Sequence, residues 1–365
     1  MDRSFDIFLA APPGLEPVLA EEARAAGLPL PEVQPGGVAL RGGWAEVQRA
    51  NLELRGASRV LARIGGFPVF HLAQLDKRAR KIDWRAVFRT DVPVKVETVC
   101  RRSKVYHDRA AAARIAGALE AAGVPLGDGG VRLSARIEAN FCTLSVDTSG
   151  APLHRRGHKQ AVGKAPLRET MAALFLRACG FAGAEPVVDP MCGSGTFVIE
   201  AAEMATGRAP GRGRAFAFER LAGFDAEGWA ALKAAQRPGE TELRFHGSDR
   251  DAGAVRMATE NAARAGVEGV ARFARQAVSD LALPAGPPGL VMVNPPYGGR
   301  VGEAKALFAL YGALGTVLRE RFAGWRVGLV TSDAALARAT GLSLDPGPPV
   351  PHGGLKVHLY QSGPL

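Results

Sequence analysis

Val187-Val188-Asp189-Pro190-Met191-Cys192-Gly193-Ser194-Gly195-Thr196 is an apolar run closing on an acid, then a glycine turn, then the start of a helix-forming stretch. A turn of this kind lets a ligand approach the backbone at the carboxyl end of a strand, where open α/β sheets bind their ligands. The two glycines alone fit an ordinary strand-to-helix turn equally well. A dinucleotide fingerprint would place a third glycine three positions after the second, and Val198 stands there. Hydride chemistry is therefore disfavoured.

Outward from this turn, short wholly apolar runs alternate with helical patterns from about residue 165, which marks a parallel sheet covered on both faces. Strands are expected at 186–189, 243–248, 271–275, 289–293, 325–331 and 356–361. Helices are expected at 166–179, 196–206, 252–265 and 304–322, with 345–354 a Pro/Gly-rich loop. Strand 243–248 ends in Ser248-Asp249, and an acid there can accept both hydroxyls of a ribose; its bland alternative, a helix N-cap, could be filled by Asp251 instead. Val291-Met292-Val293-Asn294-Pro295-Pro296-Tyr297 then runs an apolar strand straight into Asn-Pro-Pro-Tyr. An exocyclic base amine is a poor nucleophile until its two hydrogens are held out of the ring plane. The Asn294 side-chain oxygen and the Pro295 carbonyl can accept those two N–H bonds while Tyr297 stacks on the base. Alignment of the amine with a sulfonium methyl then needs no metal and no covalent nucleophile.

Towards the N-terminus the texture is α+β. Residues 5–10 read as a strand, and 13–27 as an amphipathic helix with Leu15, Val18, Leu19, Ala23 and Ala26 on its apolar face and Glu16, Glu21, Glu22 and Arg24 largely elsewhere. Strand 92–99 and helix 109–122 follow. Alternation over Val131–Ile137 and Cys142–Val146 predicts a hairpin turning at Glu138–Asn140, and Asp147-Thr148-Ser149-Gly150 breaks the pattern. The 365 residues suggest two or three domains, and 46 Lys+Arg against 36 Asp+Glu, a formal charge of +10, favours a polyanionic partner. Two basic clusters suit phosphate contact: Arg101, Arg102, Lys104 and Tyr106 before a helix, and Arg155, Arg156, Lys159 and Lys164 at the domain junction. The histidines include no metal-spaced pair and read as surface or RNA-contacting. The four scattered cysteines contain no C-x-x-C pair, arguing against zinc or a disulfide framework and for a reducing cytoplasm. The N-terminus does not read as a signal peptide, and no apolar run reaches a membrane span of roughly 18 residues.

Asp189 to Thr196, Gly247-Ser248-Asp249 and Asn294 to Tyr297 stand in the order and rough spacing of class I amino-methyltransferases, a combination far more specific than any one part. Upstream, Asp147 to Gly150, Leu153-His-Arg-Arg-Gly157 and Ala165 to Thr170 resemble the junction of THUMP-domain RNA methyltransferases. Pro13-Gly14-Leu15 and the insertion from Arg208-Ala-Pro-Gly211 to Trp229 look like the guanine-N2 half of the bacterial large-subunit rRNA enzymes. The resemblance covers nearly the whole chain. It implies a ferredoxin-like unit (1–65), a THUMP domain (66–152) that docks structured RNA, and a Rossmann-like methyltransferase domain (153–365). It implies S-adenosylmethionine as cofactor, held by Asp189, Met191, Cys192, Gly193, Gly195, Thr196, Asp249 and Asn294, with Asn294, Pro295, Pro296 and Tyr297 at the chemistry. Cys192, inside the cofactor loop, is read as a packing residue. One departure concerns the acid that the family carries after the third strand, where this chain has Ala277. Backbone near Gln276–Ala277 is assigned to adenine recognition, with Asp280 as a secondary contributor. The expected activity is guanine-N2 methylation of 23S rRNA by a cytoplasmic monomer without metal or membrane, and without the second methyltransferase domain fused on in some relatives. Alternatives are a tRNA guanine-N2 enzyme, a DNA amino-methyltransferase lacking its usual target-recognition region, or a non-catalytic RNA chaperone.

Overall fold

The computed structural model describes residues 4–160, 167–297 and 304–365. The chain divides into two compact units, one formed by 1–11, 20–153 and 213–235, the other by 12–19, 154–212 and 236–365. In the first unit β1 (Phe5–Ala10) leads through α1 (Glu16–Ala25), which straddles the division, to β2 (Glu32–Gln34) and β3 (Gly37–Gly42). Then come α2 (Trp44–Glu53), β4 (Arg59–Pro68), α3 (Leu72–Ala79), β5 (Val94–Arg101), α4 (Asp108–Ala121), β6 (Val131–Glu138) and β7 (Phe141–Asp147). All seven strands make one sheet in the order β2-β3-β1-β4-β7-β6-β5. β4 crosses the expected 65/66 boundary and pairs with β1 on one side and β7 on the other, so both segments share one sheet. The β6–β7 hairpin turns at Ala139 and Asn140, both left-handed at φ 48° and 61°, as a two-residue hairpin turn with two positive φ angles requires.

Glu22 departs from its expected place on the polar side of the first helix. It is 2% exposed and accepts from the backbone N–H groups of Arg55 and Gly56 at 2.8 Å each. Burial of this carboxylate follows from the orphan donors of a loop thirty-odd residues away.

The second unit contains α5 (Glu169–Ala178), β8 (Val187–Asp189) and α6 (Thr196–Ala205). After α7 (Ala226–Ala235), which belongs to the first unit, it continues with β9 (Phe245–Asp249), α8 (Ala252–Ala265), β10 (Ala271–Arg275), β11 (Leu290–Val293), α9 (Ala304–Arg321), β12 (Arg326–Thr331), α10 (Ala334–Ala339), β13 (Asp345–Pro346), β14 (Val350–His352) and β15 (Leu355–Ser362). The sheet order is β10-β9-β8-β11-β12-β15-β13, with β14 on β15. β10 to β12 are parallel and β15 is antiparallel. The stretch expected to be a loop at 345–354 thus holds two short strands that use the free N–H and C=O groups of β15. From β8 the chain winds outward first through β9 and β10, then on the other side through β11 and β12. The carboxyl ends of β8 and β11 therefore flank the topological switch point. Val188, Val291, Val293, Tyr311, Leu314, Leu318 and Phe322 are buried together between sheet and α9, which fixes those two strand ends from below. Among the described residues no helix is long and apolar enough to cross a membrane, and no group of three or more His, Cys, Asp or Glu is placed to hold a metal ion.

Candidate active site

The glycine turn is shaped by two left-handed residues, Gly193 at φ 52° and Gly195 at φ 83°. A Cβ at Gly195 would lie 3.0 Å from the Phe273 ring and 3.1 Å from Ala258, whereas one at Gly193 would meet nothing within 4 Å. Gly195 is thus demanded by close packing of α6, and Gly193 leaves room beside the backbone for a ligand. Asp189 ends β8 at 3% exposure and accepts from the Met191 N–H at 3.1 Å. Asp249 ends the neighbouring β9 and accepts from Gly193 N–H at 3.1 Å and from Asp251 N–H at 2.9 Å. Asp251 in turn caps α8 through the Gly253 N–H at 2.7 Å, so Asp249 is not the helix cap and is left for the turn and what binds above it. Burial pushes the Asp189 carboxyl up to about 8, opposed by the Met191 hydrogen bond and reinforced by the Asp249 charge.

Above the turn a cavity of about 390 Å³ opens between β8, β9, β11 and α9. Pro190, Met191, Asp249, Arg250, Asn294 and Pro296 line it, together with the segment Gln276–Ser279. The cavity therefore brings together Met191, Asp249, Ala277 and Asn294 from the sequence-derived set. Asp189, Cys192, Gly193, Gly195 and Thr196 build the turn under it without lining it. Asp280 does not line it: its carboxylate accepts from the Ser279 hydroxyl at 3.2 Å and its carbonyl from the Gln276 amide at 2.8 Å. Cys192 is buried at 6% exposure, and its thiol is pushed far above the ordinary range by burial and by the charges of Asp189 and Asp249, which suits packing and not nucleophilic attack.

At the end of β11 the Asn294 Oδ1 is buried and has no hydrogen-bond partner among the described residues. Leaving such an acceptor unpaired costs on the order of 1–3 kcal/mol, so an orphan at a cavity wall marks a place where a donor is meant to arrive. Pro295 is buried, and Tyr297 is half-buried against the apolar cluster of the second unit; neither lines the cavity. Tyr311 lies within the helix expected at 304–322 and has no site role in the sequence analysis above. Its hydroxyl lies 3.3 Å from the Pro296 carbonyl and 3.3 Å from the Thr331 Oγ1, and so pins the Asn-Pro-Pro-Tyr backbone from α9. A tyrosine on an otherwise aliphatic helix face was the available signal, since a buried phenol needs a partner.

The basic clusters divide. Arg101, Arg102, Lys104 and Tyr106 are exposed on the first unit, and Arg155 is exposed on the second. Arg156 and Lys159 are not surface contacts. Arg156 has a side chain 1% exposed and pairs with the equally buried Glu200 at 3.3 Å. Lys159 donates to the Thr196 hydroxyl at 2.9 Å and the Leu167 carbonyl at 2.8 Å and sits 3.7 Å from Glu169; burial lowers its ammonium from the usual range. His158, expected at the surface, is 7% exposed with its ring 4.0 Å from Glu203. Thr196, Glu200 and Glu203 recur at i, i+4 and i+7 on one face of α6, and this basic segment lies along that face, bracing the helix that starts at the glycine turn. Lys164 lies outside the described residues.

A parallel sheet with an antiparallel last strand, a glycine turn at its switch point and Asn-Pro-Pro-Tyr on the adjoining strand define a class I methyltransferase fold. Residues 156–346 match the model of the RMKL-like methyltransferase domain, and residues 6–61 that of the RlmL ferredoxin-like domain. The chain belongs to the RMKL-like methyltransferase family. It is 32% identical over 361 residues, 95% of its length and 94% of the other's, to a protein of Synechocystis sp. whose own assignment as an RNA methyltransferase is provisional. It is 37% identical over 364 residues to the ribosomal RNA large subunit methyltransferase K/L of Syntrophotalea carbinolica, covering 94% of this chain and 51% of that one. The chain thus spans about half the length of that K/L relative. Among solved structures, a Listeria monocytogenes protein named by prediction as an N6-adenine-specific DNA methylase superposes with a TM-score of 0.90 at 29% identity, covering 99% of this chain and 97% of that one. SMU.472, solved with S-adenosylhomocysteine, superposes with a TM-score of 0.89 at 28% identity, covering 100% and 99%.

Proposed function

We propose that this chain transfers a methyl group from S-adenosylmethionine to the exocyclic N2 amine of a guanine in large-subunit ribosomal RNA. The observation that carries the reading is the buried Asn294 Oδ1, without a hydrogen-bond partner among the described residues, at the wall of a nucleoside-sized cavity. The cavity residues fit the cofactor: Gly193 has open space above it, and Asp249 keeps free lone pairs for ribose hydroxyls after accepting two backbone N–H groups. When bound, S-adenosylmethionine supplies an electrophilic methyl on a sulfonium. Asn294 Oδ1 and the Pro295 carbonyl then hold the two N–H bonds of the incoming amine, so that its lone pair points across the cavity. Pro296, pinned by Tyr311, keeps that carbonyl from rotating away. The names of the K/L relatives support rRNA over tRNA as the substrate. The exposed basic residues Arg101, Arg102, Lys104 and Arg155 support RNA binding, and we assign 1–65 and 66–152 to the ferredoxin-like and THUMP parts of that RNA-docking unit. Incubation of the purified protein with labelled cofactor and isolated 23S rRNA, 16S rRNA or tRNA, followed by nucleoside mass spectrometry, tests this. N2-methylguanosine confined to 23S rRNA is expected, and methyladenosine or methylation of DNA instead would overturn the reading.

Two further results are expected at this site. Asp249→Ala removes both ribose acceptors and the ties to Gly193 and Asp251, so calorimetric affinity for S-adenosylmethionine should fall by about ten- to a hundredfold, one to two lost charge-assisted hydrogen bonds. Unchanged affinity in a folded variant would remove Asp249 from the cofactor role. Asp189, through its raised pKa, makes both stability and cofactor binding depend on pH. Its folded value of about 8 lies above the unfolded value of about 3.9, so this group's contribution to stability falls as pH rises from about 4 to 8 and is level beyond. The cofactor's ammonium favours the ionised carboxylate, so binding near pH 7 should release close to one proton and tighten towards pH 8. The check is titration calorimetry in two buffers of different ionisation enthalpy; identical observed heats would show that Asp189 does not face the ammonium.

A further inference from the structure

One end of the first unit's sheet gathers features that cofactor chemistry does not use. Cα partners across the sheet place Arg101 of β5, Glu138 of β6, Phe141 of β7 and Pro68 of β4 in a single row. The loops beyond that row carry Phe70, Arg102, Lys104 and Tyr106. Phe70, Phe141 and Tyr106 are exposed at 46%, 45% and 70%. Phe308 is the other exposed aromatic side chain among the described residues, while Trp84, Phe88, Phe175, Phe181 and their like are buried.

The loops are tied to one another. The Asn140 carbonyl accepts from Val69 N–H at 2.7 Å, its side-chain oxygen accepts from Lys104 N–H at 2.8 Å, and its own N–H donates to the Ser103 hydroxyl at 3.0 Å. The hairpin explains the left-handed Ala139 and Asn140. Arg102, at φ 48°, has no such turn to explain it and holds a backbone conformation that residues with a Cβ rarely adopt. That backbone bend, with buried Val105 as anchor, sends Arg102, Lys104 and Tyr106 outward. Lys104 Nζ stands 5.6 Å from the centre of the Phe70 ring, and the Tyr106 ring lies 4.1 Å from His107. Of the acids nearby, Glu138 is engaged by Arg136 at 2.6 Å and Asp108 accepts from the Cys100 N–H at 2.7 Å.

We infer that the loops carrying Phe70, Lys104 and Tyr106, with Phe141 and the flanking Arg101 and Arg102, form a stacking platform for unpaired RNA nucleotides. Flat exposed rings receive base faces, and the interleaved cations receive the phosphates between them. A surface with rings but no cations would suit an apolar partner, and one with cations alone would grip duplex backbone without telling paired from unpaired RNA. Here the two alternate, so the platform selects a loop or bulge. The inference rests on the RNA methyltransferase reading above, and places RNA selection on a surface separate from the amine-positioning residues.

The test compares a hairpin RNA bearing an unpaired loop with a blunt duplex of equal phosphate number, by fluorescence anisotropy on the full chain. Phe70→Ala/Tyr106→Ala should weaken loop RNA about thirtyfold, from two lost base stacks, and duplex less than about twofold. Tyr106→Phe should restore the Tyr106 share of that loss. Arg101→Ala/Arg102→Ala should weaken both RNAs alike and lower the salt slope by about two. Calorimetric affinity for S-adenosylmethionine is the folding control for the aromatic variant. Unchanged loop affinity, equal losses on both RNAs, or sedimentation showing a dimer that the aromatic variant dissolves would each overturn the platform. Failure of the unmodified protein to bind either RNA would instead overturn the RNA reading beneath it.

Discussion

Asn294→Ala will lower the single-turnover rate of methyl transfer by on the order of a hundredfold or more, leaving cofactor and RNA affinity nearly intact. The expectation follows from an acceptor that is already buried and has no hydrogen-bond partner among the described residues. The cost of desolvating it has been met in folding, so none of it is met again when the amine arrives, and its interaction is made with the reacting group and not with the rest of the nucleotide. Loss of the side chain removes one of the two acceptors that hold the amine out of plane. It should even relieve a small folding penalty, so Asn294→Ala should be no less stable than the unmodified protein. Asn294→Asp separates position from charge: the oxygen returns, but with an ionised group buried at the cavity wall. Single-turnover transfer of labelled methyl at saturating protein and cofactor is the measurement, and a near-normal rate for Asn294→Ala would reduce Asn-Pro-Pro-Tyr to a turn.

Arg156→Ala should destabilise the fold by about 3–5 kcal/mol, the usual cost of breaking a buried ion pair by removing one partner. Arg156 and Glu200 are each 1% exposed at the side chain and 3.3 Å apart. Removing the guanidinium would take the ion-pair partner at 3.3 Å from a buried carboxylate in the middle of α6, one turn beyond the glycine turn. The double change Arg156→Met/Glu200→Leu removes both charges and keeps volume, and should recover most of the loss. Urea unfolding followed by the fluorescence of the tryptophans reads both. If the single variant lost under 1 kcal/mol, the pair would be no more than a surface contact, and the sequence-based reading of Arg156 as a phosphate ligand would regain its footing.

Much of the second unit was legible from local signals. β8, β11 and α8 fall where hydrophobic runs, glycine stops and caps placed them, because a strand buried on both faces must be apolar throughout and a helix end must find partners for its N–H and C=O groups. Gly193, Gly195 and Asp249 could be read for the same reason: positive φ and a strand-terminal acid leave marks on the chain itself. The first unit was less legible. Its sheet depends on β4 pairing with β1 about fifty residues before it and with β7 about eighty residues after it, and β2, β3 and α2 carry weak periodicity. The short strands β13 and β14 went unseen because Pro and Gly signal a loop, whereas here the open edge of β15 supplies partners that no local pattern announces.

The order of chemistry along the chain is readable from its residues alone: an acid and a glycine turn, a second acid, then Asn-Pro-Pro-Tyr on an apolar strand. Each of these is a local demand of backbone conformation or of hydrogen-bonding capacity, and so each is written in neighbouring residues. Tertiary structure alone decided which polar groups are paired. His154-Arg155-Arg156-Gly157-His158-Lys159 reads as one basic surface, yet Arg156 and Lys159 are spent on Glu200, Glu169 and Thr196 while Arg155 faces outward. The same holds for Glu22 against the 55–56 loop, and for Tyr311 against Pro296. The physical reason is common to all three. The state of a polar side chain is set by the dielectric around it and by partners brought from far along the chain, and neither quantity exists until the sheet has closed.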